Sequence, residues 1–166
     1  MNYTTPATGS EEAQSMYFGN YGVTIDNTKG GITRDSYVGG KWNTKRCVFK
    51  ATNQDKTSDK VDNNSGIGYC APACCCDRYS TPGTKSGDWY LPMPGELYEL
   101  YANKTVINEK RTYIKGRGFS GSTHYWSSRE SSSSDEYAVY LGNGNVTSHR
   151  KNNFDFYVLG FLTLEV

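Results

Sequence analysis

The stretch Gly87-Asp88-Trp89-Tyr90-Leu91-Pro92-Met93-Pro94-Gly95-Glu96-Leu97 decides how the rest of the chain is read. Pro94 suits a first helical position, where its missing N–H and fixed φ cost nothing, and Glu96 falls in the first turn, where the helix dipole favours a carboxylate. Leu97, Leu100 and Tyr101 follow at i, i+3 and i+4 as an apolar stripe, leaving Glu99 and Asn103 to solvent. The spacing therefore predicts a helix opening at Pro94. Trp89, Tyr90 and Leu91 precede it as a short apolar run, expected to lie in the core and anchor the helix start.

Downstream, Thr105 to Ile114 adds a further helical turn, and Gly116, Gly118 and Gly121 break the chain. From His124 the pattern becomes strand and turn, with strands expected at His124–Ser128, Glu136–Leu141, Asn145–His149 and Phe156–Leu164. Asn143-Gly144 is a strong hairpin signal, because a type I′ turn needs φ > 0 at both central positions. Tyr137, Val139 and Leu141 alternate with Ala138, Tyr140 and Gly142, which predicts one buried face and one free to display.

Upstream, Tyr69–Tyr79 is compact and small-residued, with Pro72 acceptable in a first turn, and reads as a short helix. Ala51–Gly68 is polar and expected as an exposed loop. Tyr21–Ile25 and Cys47–Lys50 read as strands separated by Gly30-Gly31 and Gly39-Gly40 turns. Met1 to about Ser15 shows no periodicity and reads as a flexible tail or oligomer arm, so the single domain is expected over 16–166.

The length of 166 residues suits one domain. With 18 Lys+Arg against 17 Asp+Glu there is no net field to steer nucleic acid, and no apolar run approaches a membrane span. No secretory signal is visible at Met1. The 14 Tyr and 18 Gly, with abundant Ser and Asn, are the palette of a turn-rich β protein and of an antibody-like binding surface. Cys47, Cys70, Cys74, Cys75 and Cys76 are odd in number and four fall within seven residues, which argues against a disulfide framework and for free thiols packed as small hydrophobes. A zinc site is the rival, but a helical run of adjacent Cys does not aim four sulfurs at one tetrahedral point, so no metal and no cofactor are expected.

Gly87-Asp88-Trp89-Tyr90-Leu91-Pro92, Gly95-Glu96-Leu97, Tyr125-Trp126-Ser127-Ser128, Glu130 and Asn143-Gly144-Asn145-Val146 together resemble the C-type-lectin-fold variable proteins of diversity-generating retroelements, found in phages and gut bacteria. The resemblance covers about Tyr69 to Val166. It implies an α+β fold of the C-type lectin-like kind: two helices on a small, mostly antiparallel twisted sheet, with a loop-rich C-terminal display region and a variable region at about 125–157. In that family a reverse transcriptase miscopies adenines, scattering AAY codons into many residue types but never into stops. Arg129, Ser131, Ser134, Asp135, Ala138, Tyr140, Thr147, Ser148, His149, Arg150, Phe154, Asp155 and Phe156 are all residues such codons reach, and the resemblance implies that they bind ligand. The final strand departs from the family, being Val158-Leu159-Gly160-Phe161-Leu162 rather than Arg-rich, which implies another packing partner at that edge.

The expected function is thus a hypervariable binding protein displayed on a phage virion or bacterial surface. Its partner would be a protein or glycan on a target cell, with no nucleic acid and no membrane insertion; assembly into a homo-oligomer stays open. The alternatives are a calcium-independent lectin or a structural virion or pilus subunit. A calcium-dependent lectin is disfavoured, because the Glu-Pro-Asn, Gln-Pro-Asp and Trp-Asn-Asp triplets are missing and no carboxylate-rich oxygen set can be assembled. An enzyme is not expected: no Cys follows Cys76, and His124 and His149 have no orienting partner at a recognisable spacing.

Overall fold

A computed structural model describes residues 12–32, 39–53, 70–113, 119, 121–152 and 156–163, with only the backbone for 12–15, 52 and 53. The architecture is α+β. In chain order the elements are β1 (Glu12–Met16), α1 (Gly40–Asn53), α2 (Ala71–Arg78), β2 (Trp89–Tyr90), α3 (Pro94–Ala102), α4 (Lys104–Tyr113), β3 (His124–Glu130), β4 (Asp135–Tyr140), β5 (Asn145–Arg150), β6 (Phe156–Leu159) and β7 (Phe161–Leu162). Five strands form one sheet in the order β1-β6-β3-β4-β5, and β2 pairs with β7 in a second, smaller one. All pairings are antiparallel except β3 with β6.

The decisive stretch folds as its sequence dictates. Pro94 opens α3, and the Glu96 carboxylate turns back to accept the Met93 N–H at 2.7 Å and the Tyr90 hydroxyl at 2.7 Å. Leu97 and Leu100 are buried, and Trp89, Tyr90 and Leu91 are buried ahead of them. The expected short helix is α2, with Pro72 in its first turn, and the turn expected after Thr105 is the full helix α4.

Two cores sandwich the large sheet. On one face Trp126 and Ala138 meet Phe18, Ile25, Leu91 and the cysteines of α1 and α2; on the other Tyr125, Val139 and Leu141 meet Leu97 and Leu100 of α3. The expectation of one buried and one free face on β4 is therefore corrected: both faces are packed, because helices lie on both. Ala138 is 0 % exposed and Tyr137 is half-buried, the reverse of the expected order.

Other expectations are overturned for identifiable reasons. The tail assigned to Met1–Ser15 contributes at least residues 12–15 to β1, an edge strand held by backbone pairing to β6, which requires no side-chain pattern. Cys47–Lys50 is helical, not a strand. The helical period of α1 is Gly40, Asn43, Thr44 and Cys47, and two of these buried positions are polar, so an apolar template misses them. Both are satisfied: Asn43 accepts the Lys29 N–H at 3.0 Å and donates to the Lys29 carbonyl at 3.2 Å, while the Thr44 hydroxyl donates to Gly40 O at 2.8 Å and accepts the Leu91 N–H at 2.9 Å. Tyr21–Ile25 is irregular rather than a strand, with positive φ at Asn20, Gly22 and Asp26. Of the expected loop Ala51–Gly68, residues 51–53 close α1 and residues 54–68 lie outside the described residues.

The last expected strand divides at Gly160 into β6 and β7. β7 pairs with β2, and Phe161 meets Tyr90 edge-on at 6.3 Å, so the partner of this apolar edge is the run before α3. Asn143-Gly144 does turn a hairpin, but only Gly144 has positive φ, and Tyr140 pairs with Asn145 across residues 141–144. That is the longer loop built on a helical turn closed by a left-handed residue, not type I′. A Cβ on Gly144 would come within 2.5 Å of the Tyr101 ring, so both φ and space demand glycine there.

Candidate functional site

Cross-strand register assembles a group of rings on one face of the large sheet. His124 pairs with Tyr140, Trp126 with Ala138, Ala138 with Thr147, and Glu136 with His149, so these side chains share a face. His124 stacks on Phe156 with centroids 4.7 Å apart and planes 18° from parallel; it lies 4.9 Å from Tyr140 and 5.1 Å from His149. Phe156 also meets His149 edge-on at 4.9 Å and rests against Trp126 at 4.8 Å. Ala138 is small, which lets the rings around it close over it. Unlike Trp126 below them, His124, Tyr140, His149 and Phe156 are half-buried.

Desolvation lowers the pKa of both histidines; the neighbouring His149 lowers that of His124 further, and Asp135 opposes the shift at His149. Both imidazoles are therefore neutral at pH 7 and act as polar rings. His149 Nε2 lies 2.7 Å from the Thr147 hydroxyl, an orienting partner two residues away on the same strand face. The patch can stack against a flat apolar surface and supply hydrogen bonds at its rim.

The thirteen residues implied to bind ligand do not form one patch. Tyr140, Thr147, His149 and Phe156 lie on the ring face, with His124 added. Ala138 lies beneath them and is withdrawn from display by its burial. Ser148 and Arg150 are exposed on the opposite face of β5. Ser131, Ser134 and Asp135 form the β3–β4 turn, where the Ser132 hydroxyl donates to Asp135 at 2.8 Å. Arg129 sits at the irregularity in β3 and donates to the Thr28 carbonyl. Phe154 and Asp155 lie outside the described residues.

The same face carries, at its other end, a buried polar centre that sequence reading missed. Lys151 Nζ, on a fully buried side chain, donates to Glu130 Oε1 at 2.6 Å and lies 4.0 Å from Glu136 Oε2. The Glu130 carboxylate accepts the N–H groups of Ile25 at 2.9 Å and Asp26 at 3.0 Å, fastening the irregular segment to the sheet. Asn27 Nδ2 donates to Glu136 Oε1 at 2.9 Å and to Ser128 O at 2.8 Å. Burial pushes the Glu136 carboxyl well above the usual range, against the opposing pull of Lys151. A Glu-Lys pair separated by a hairpin has no local signature.

The cysteines are free thiols. Cys47, Cys70, Cys74 and Cys76 are buried and Cys75 is half-buried. Burial raises all their pKa values, that of Cys74 to about 12, which makes them poor nucleophiles. Among the described residues no three His, Cys, Asp or Glu side chains converge to hold a metal, and no helix is long and apolar enough to cross a membrane. No known protein family matches the chain, and no curated protein matches it either.

Proposed function

We propose that this chain is a ligand-binding module whose contact surface is the ring group His124, Tyr140, His149 and Phe156 with the exposed strand β5. The observation that carries the reading is the half-exposed aromatic face itself: in a sheet covered on both sides, it is left open to water beside a strand whose residues are mostly exposed. Rigid rings give contact area at small entropy cost, and Thr147 on the same face adds an adaptable hydrogen bond. Such a surface suits a protein or a glycan on a target cell, with no cofactor and no catalysis.

The finer form of the proposal is a C-type-lectin-like variable protein of a diversity-generating retroelement, carried on a phage virion or bacterial surface. What supports it is the sequence resemblance together with the exposure of Ser131, Thr147, Ser148 and Arg150, which adenine-directed mutation can reach without touching the core.

A library varying Ser131, Ser134, Asp135, Tyr140, Thr147, Ser148, His149 and Arg150 tests the module. Members should stay folded and differ in their profiles on glycan and cell-surface-protein arrays. Unfolded members, or one profile shared by all, would overturn the reading. A template repeat and a reverse transcriptase gene in the flanking DNA test the finer form.

A further inference from the structure

Helix α1 turns an unusual face outward. Gly40, Asn43, Thr44 and Cys47 are buried. With 3.6 residues per turn, or roughly 100° per residue, Trp42 and Phe49 fall together on the opposite side; they are 42 % and 56 % exposed. Lys41 and Lys45 lie along one flank of this aromatic ridge, and Arg46 and Lys50 along the other. The helix carries those four cations and no acidic residue, in a chain whose formal net charge is only +1. The Arg46 guanidinium sits 5.7 Å from the Trp42 ring and 5.8 Å from the Phe49 ring, and Lys29 Nζ lies 5.8 Å from the Trp42 ring. A carboxylate already uses this frame: Asp26 Oδ2 is 3.0 Å from Arg46, on a side chain that is 65 % exposed.

We propose that this face of α1 docks an acidic segment of a partner protein, its carboxylates on the two cationic flanks and an apolar side chain on the Trp42–Phe49 ridge. Charge complementarity names the occupant, and the Asp26–Arg46 pair shows the frame accepting a carboxylate. A membrane fits less well: pressing the ridge into lipid would strip Arg46 and Asp26 of water, and Asp26 repels anionic headgroups. Nucleic acid fits less well too, because the cations span only about 13 Å of helix, short of the many phosphate contacts that sustain such binding. The site stands independently of the ring group.

The test is a titration of the whole protein with a fluorescein-labelled peptide rich in Asp and Glu and containing Phe, alongside oligothymidine and phosphatidylserine vesicles. The acidic peptide should bind, and added salt should weaken it. The double variant Lys45→Glu/Lys50→Glu should bind it about tenfold more weakly, equivalent to about 1.4 kcal/mol, with melting unchanged. Trp42→Ala should also weaken it, and Trp42→Tyr should restore most of the loss. No binding of the peptide, tighter binding of oligothymidine or vesicles, or equal binding by the charge-reversed variant would each overturn the proposal.

Discussion

Strands β3 and β4 carry, on one face, Glu130 opposite Glu136 at one end and His124 opposite Tyr140 at the other, with Trp126 and Ala138 between. The usual distribution is inverted along this row. The charged end is sealed, with Glu130, Glu136 and Lys151 at most 4 % exposed, while the aromatic end is open to water. What differs is the cover: the irregular segment through Ile25, Asp26 and Asn27 folds over the carboxylates and hydrogen-bonds them, whereas the rings stack on one another and stay partly exposed. Burial here follows what the backbone lays on the sheet. The sealed end then holds structure, and the open end is the face proposed for a ligand.

Breaking the sealed end should have the largest effect. Lys151→Met removes the only ammonium facing Glu130 among the described residues and leaves a buried carboxylate uncompensated, which costs about 3–5 kcal/mol; denaturant unfolding should show it. Adding Glu130→Gln should recover part of the loss, and no recovery would mean that Lys151 acts through packing alone. Trp126→Ala should cost about 3–5 kcal/mol as well. Tyr140→Ser, at the open end, should cost much less; equal losses at the two sites would erase the distinction between the ends.

A subtler probe is Glu136→Gln. The folded pKa of Glu136 is raised above its unfolded value, so the unfolded state releases this proton first and stability falls as pH climbs from the ordinary carboxylate range toward the folded pKa. The amide keeps the hydrogen bond from Asn27 without that ionisation cost. The variant should therefore match the parent at about pH 4 and exceed it at neutral pH. A variant less stable at neutral pH would show that Glu136 is held ionised by Lys151.

The smallest effect belongs to the open end. The folded pKa values of His124 and His149 are lowered, so their contribution is present above the unfolded value and lost as pH falls through the folded ones. Melting temperature should drop slightly between about pH 7 and pH 5, and His124→Gln/His149→Gln should remove that drop. Both rings are only half-buried, so the shift is modest. A large acid effect surviving in the double variant would place it elsewhere.

Sequence by itself determined the elements whose signals are local. Pro94 and Glu96 set the start of α3, Pro72 and the small residues set α2, and the positions of β3, β4 and β5 were legible from their strand-and-turn pattern and from the Asn143-Gly144 turn, though not which face of β4 is buried. Ser131, Thr147, Ser148 and Arg150 are exposed, but the sequence reached them through the family resemblance and not through a local signal. Only the tertiary structure decided the rest, because it depends on contacts far apart in the chain. Ala138 is buried because its face joins the core that Phe18, Ile25, Leu91 and the cysteines build around Trp126, and β1 exists because β6 offers it an edge. The helix at Cys47 is stabilised by Asn43 and Thr44 bonding Lys29 and Leu91, which no periodic count of apolar residues detects. The carboxylates of Glu130 and Glu136 read as surface charge in any strand pattern until Lys151 and the Ile25–Asn27 backbone arrive to bury them: desolvation is a property of the assembled neighbourhood, not of the residue.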